Sequence, residues 1–109
     1  MTIDQTNVVD FIGIERDTGR VSLTISDHLD WEEDEGEHLL MLQEKLNSYL
    51  NFVENGELEE SYPHTRGRSV VIKIFAKYPL SQEAEKFFRL AKDFIEKAGF
   101  SLEFRVLET

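Results

Sequence analysis

Apolar and polar residues alternate without a break from Val21 to Ser26: Val21, Leu23 and Ile25 share one side, Ser22, Thr24 and Ser26 the other. Period-two alternation marks a strand with one buried and one wet face. Residues 8–15, V-V-D-F-I-G-I-E, are rich in β-branched and aromatic side chains and predict an earlier strand. Asp17-Thr18-Gly19 between them suits a hairpin turn whose glycine supplies a positive φ, so the two strands are expected to pair antiparallel. The period then changes. Leu39, Leu42, Leu46, Tyr49, Leu50 and Val53 recur at three- and four-residue intervals, which predicts an amphipathic helix that Asn55-Gly56 ends. Residues 57–67 read as a polar connector. R-S-V-V-I-K-I-F-A, residues 68–76, predicts a third strand with Val70, Ile72 and Ile74 inward and Val71, Lys73 and Phe75 outward.

Pro79 breaks the chain and Ser81 caps a second helix, whose core stripe is Ala84, Phe87, Phe88, Ala91, Ile95 and Ala98. Gly99 ends it, and Phe100 is expected to fold back on the last turn. F-S-L-E-F-R-V-L then alternates again, with Phe100, Leu102, Phe104 and Val106 inward. The order β-β-α-β-α-β, with one apolar face per strand and one stripe per helix, resolves into two layers. The expected fold is therefore α+β, a two-layer sandwich in which a four-stranded mixed sheet carries both helices on one face, as a single domain over 1–109. Strand order is not encoded in the pattern. The far face, with Ser22, Thr24, Ser26, Lys73, Glu103 and Arg105, is expected to be solvated, with Val71 and Phe75 as its apolar interruptions.

A chain of 109 residues that is 40% hydrophobic and has eight phenylalanines can build one real core. It has no cysteine, which removes disulfides, thiol nucleophiles and thiolate metal sites. No apolar run approaches the roughly 18 residues a membrane span needs. The opening M-T-I-D-Q-T-N lacks the basic and apolar segments of a signal peptide, so a cytoplasmic protein is expected. Net charge is −10 and unevenly placed: residues 1–62 hold 16 acids against three bases, residues 63–109 nine bases against six acids. Such a first half repels nucleic acid and anionic membranes and favours a partner with a basic surface.

Charge is densest from Ile25 to His38, I-S-D-H-L-D-W-E-E-D-E-G-E-H, where two histidines, seven carboxylates and the chain's one tryptophan separate a strand from a helix. His28, Asp30 and His38 have the atoms for a divalent metal, with Asp27 and Glu32 in reserve, but the spacing matches no zinc or calcium motif. Asp30 beside either histidine also has the makings of an acid–base pair, although no nucleophile elbow, phosphate loop or cofactor fingerprint accompanies it. The plain alternative is structural: Asp27 or Asp30 caps a turn and the glutamates favour the helix N-terminus. Trp31 reads either as a lid over the end of the core or as an exposed anchor ringed by acids. Arg66 and Arg68, in Y-P-H-T-R-G-R, suit carboxylates or a small anion, and an acid–arginine network follows if both segments lie at one end of the sheet.

I-S-D-H-L-D-W with its acidic stretch, then H-L-L-M-L-Q-E-K-L-N-S-Y-L and G-E-L-E-E-S-Y-P, resembles a family of small bacterial proteins of unknown function. The likeness extends to the strand near residue 70 and to A-G-F near the C-terminus. It implies a bacterial cytoplasmic protein of the fold above and singles out Asp27, His28, Asp30 and Trp31, while bringing no cofactor and no catalytic assignment. The residues themselves point to a small acidic, non-catalytic interaction module, regulatory or immunity-type, that meets a protein partner through the Asp27–His38 loop. The alternative is a metal-dependent or acid–base enzyme centred on His28, Asp30 and His38. A homodimer through an edge strand or through Val71 and Phe75 is a further expectation.

Overall fold

In a computed structural model, which describes residues 11–107, the chain forms the expected layers. Strand β1 (Phe11–Ile14) is followed by β2 (Val21–Asp27), helix α1 (Glu35–Glu54), a short helix α2 (Glu57–Ser61), a 3₁₀ turn (Pro63–Thr65), β3 (Val70–Ala76), α3 (Gln82–Lys97) and β4 (Ser101–Val106). The part of the first predicted strand that precedes Phe11 lies outside the described residues. The sheet order is β1-β2-β3-β4, with β1 antiparallel to β2 and the other neighbours parallel.

Val21, Leu23, Ile25, Val70, Ile72, Ile74 and Leu102 meet Leu42, Leu46, Tyr49 and Leu50 of α1 and Ala84 and Ile95 of α3 in one contiguous core. Both long helices therefore cover the same face of the sheet. The ends of α3 form as the sequence implies. Ser81 accepts a hydrogen bond from the Ala84 amide, and past the helix Gly99 takes φ 95° while the Phe100 amide returns to the Ile95 carbonyl. That pairing closes the last turn and tucks Phe100 against the core.

Five expectations change. The polar connector is partly helical, because Leu58 is buried (2% exposed) and anchors α2 on the core. Val71, expected on the wet face, is fully buried outside the main core, so it offers no dimer patch with Phe75. Ala98, assigned to the core stripe, is exposed at the end of α3, as is Val106, assigned inward, at the end of β4. The far face is not merely solvated: Glu15 binds Lys73, Arg20 (2.7 Å) and Thr18 (2.7 Å), and Arg20 also reaches Glu103 (3.2 Å). This network joins β3 and β4 to the turn between β1 and β2. Among the described residues no helix is long and apolar enough to cross a membrane.

Candidate functional site

Alternation carries Asp27 to the same side as Val21, Leu23 and Ile25, so its carboxylate enters the core at the C-terminal end of β2 and is 2% exposed. His38 stands one helical turn before Leu42 on the buried stripe of α1 and is likewise 2% exposed. The two meet with Nε2 2.6 Å from Oδ2 of Asp27. The other Asp27 oxygen accepts from the Leu29 amide at 3.1 Å. On the far side of the ring, Nδ1 lies 2.9 Å from the carbonyl oxygen of Asp30. Trp31 covers the imidazole, with ring centroids 3.5 Å apart and planes 12° from parallel, and is 8% exposed.

Hydrogen-bond accounting fixes the protons. A carbonyl oxygen only accepts, so Nδ1 of His38 carries a hydrogen. Nε2 and Oδ2 then share one further proton, because without it two lone pairs would face each other at 2.6 Å. Whichever atom holds that proton, the pair is neutral as a unit, which is what burial demands. Both ring nitrogens are thus engaged, and the tryptophan closes one face of the ring.

The remaining loop residues turn to solvent. Asp30 accepts from the amides of Glu32 and Glu33, both at 3.1 Å, and Asp34 caps α1 by accepting from the Glu37 amide at 3.1 Å. Their roles are those of turn and helix caps. His28, Glu32, Glu33, Asp34 and Glu37 are exposed. Glu33, Asp34 and Glu37 rim a shallow cavity of about 220 Å³ whose apolar walls are Leu29, Met41 and Tyr78, with His28 at its edge.

His28, Asp30 and His38 all line this cavity, but His38 meets the Asp30 backbone rather than its carboxylate. Among the described residues no group of three or more histidine, aspartate or glutamate side chains is arranged to hold a metal ion. Arg66 and Arg68 precede β3, at the opposite end of the parallel strands from Asp27, about 20 Å away along a seven-residue strand. Arg66 lies 3.6 Å from Glu59, and Arg68 donates to the carbonyls of Gly19 (2.9 Å) and His64 (3.1 Å), so the acid–arginine network does not form. Trp31 is the lid of the two readings, not the exposed anchor. Lys45, fully buried on the α1 stripe with Nζ 5.6 Å from the Tyr49 ring centroid, was not singled out from the sequence. Its spacing from His38, Leu42 and Tyr49 was the available signal.

A family model described as a family of unknown function, DUF6572, matches residues 1–108. The chain belongs to that family. No curated protein and no solved structure matches it.

Proposed function

We propose that this member of the family is a non-catalytic interaction module that binds a basic protein segment at the solvent-facing rim of the β2–α1 loop. The observation that carries the reading is the division of labour inside that loop. Asp27, His38 and Trp31 are bound to one another in the core, with His38 also lining the cavity, whereas the exposed Glu33, Asp34 and Glu37 surround that cavity over the apolar Leu29, Met41 and Tyr78. Carboxylates over apolar walls suit the methylene stem and cationic head of a lysine or arginine. The acidic half of the chain would draw such a partner in by electrostatic steering. An imidazole hydrogen-bonded at both nitrogens and stacked under an indole is poorly placed to exchange protons with a substrate, which weighs against acid–base catalysis.

The test is an affinity capture from host lysate at low salt, with bound proteins identified by mass spectrometry. Wild type is compared with Glu33→Gln/Glu37→Gln and with a charge-matched control, Glu59→Gln/Glu60→Gln. A basic protein held by wild type and control but lost by the loop variant, and released by added salt, is the expected result. Equal retention by all three, or no specific protein at all, overturns the reading.

A further inference from the structure

Helix α3 has more apolar surface than the core uses. Ala84, Phe88, Ala91 and Ile95 face the sheet, and beside them Phe87, Leu90 and Phe94 form a second stripe. Leu90 (74% exposed) and Phe94 (66%) are the two most exposed large apolar side chains among the described residues. With Leu46 and Leu50 of α1 they line a groove of about 430 Å³ between the long helices, whose polar contribution comes from Gln43 and Asn47 and from no charged residue. An exposed apolar strip of this kind marks a contact surface.

We propose that this groove is the face through which two copies of the chain associate, related by a two-fold axis with their α3 helices antiparallel. Charge selects the occupant. A basic segment finds no carboxylate among the groove's lining residues. A second copy of a −10 chain is repelled by most of this surface, but α3 itself carries four acids and four bases. The order of those charges along the exposed stripe decides the orientation. Read from the N-terminus at three- and four-residue spacing, it runs Glu83, Lys86, then Phe87, Leu90 and Phe94, with Asp93 and Lys97 closing it. Reversed about Leu90, Glu83 falls opposite Lys97 of the partner subunit, and Lys86 comes within one position of Asp93 of the partner subunit, so both acids of this stripe face a base. A parallel pairing would set like against like at every charged position.

An isologous contact needs this self-complementarity. The apolar centre supplies the attraction, and the flanking charges fix the register. Within one copy, Lys86 already lies 3.3 Å from Glu83 and Lys97 3.0 Å from Asp93, both pairs well exposed. Each pair is worth little alone, and each is positioned to extend into a four-charge cluster across the axis. The inference is independent of the acidic-loop reading, since the two surfaces share no residue.

Sedimentation equilibrium on the full chain over a concentration series tests it. Wild type is expected to dimerise, and Leu90→Asp and Phe94→Glu, at positions the fold leaves in water, to weaken the dimer at least about tenfold with unchanged circular dichroism. Glu83→Lys is expected to weaken it several-fold at low salt, and adding Lys97→Glu in the same chain to restore it. A wild type that stays monomeric throughout, a dimer that neither apolar substitution weakens, or a charge swap that fails to rescue overturns the proposal.

Discussion

His38 shows how one side chain can join two elements and a loop. Its ring ties α1 to the end of β2 through Asp27, to the loop backbone through Asp30, and to the core's end through Trp31. Removing one member strands the others. His38→Ala leaves a buried carboxylate without its main partner, and Asp27→Ala leaves Nε2 unsatisfied; each is expected to cost about 3 kcal/mol. Asp27→Asn should cost only about 1 kcal/mol, because an amide is able both to donate to Nε2 and to accept from Leu29. Denaturant unfolding of the three variants checks this ranking, and equal losses for Asn and Ala would contradict the shared-proton geometry. The members of this cluster were legible in the sequence as residues, and Trp31 as a lid in one of its two readings, but the burial of Asp27 and His38 was not read from it. The signals were present: Asp27 continues the inward parity of Val21, Leu23 and Ile25, and His38 precedes Leu42 by four. Counting charge drew attention to the wet side of the loop, whereas its parity and period mark the dry side.

At the scale of the elements, sheet and helix stripes were legible because each has one apolar face and clear end signals, as at Ser81 and Gly99. The short helix α2 was not, since a single buried Leu58 among glutamates carries no period. Nor was the use made of the far face. There Lys73 first, then Thr18 and Arg20, hold the Glu15 carboxyl down at about 2 from its ordinary 4.5. A carboxyl whose folded value is lowered stabilises the fold fully above its unfolded value and loses that contribution as pH falls through the folded one. The Glu15 contribution is therefore complete above pH 4.5 and is lost towards pH 2. With partly exposed partners it should amount to about 1–2 kcal/mol. Comparing wild type with Glu15→Gln in urea from pH 7 to pH 2 isolates it from other acids. The gap between them should be constant above pH 4.5 and shrink below it; a gap independent of pH would exclude this role.

For the whole molecule, the polarity of the sequence becomes a polarity in space. β1, β2, α1 and α2 come from the acidic segment, while β3, α3 and β4 come from the mildly basic one. Sheet order follows chain order, so the two halves lie side by side rather than interleaved. The segmental charge was legible in the sequence; the strand order that turns it into a dipole was not, because every strand offers the same kind of apolar face to either neighbour. The same order bears on how the protein is made. Each strand after the first joins the growing edge left by its predecessor, and none must be threaded between strands already paired. A ribosome delivering the chain from its N-terminus thus presents every strand to a partner that has already emerged. Nascent chains stalled with β4 still in the exit tunnel should already protect β1–β3 from protease, and protection arriving only on release of the full chain would show assembly in a single late step. With early protection, synthesis and folding run in the same direction, and β4 is the last strand to join the sheet.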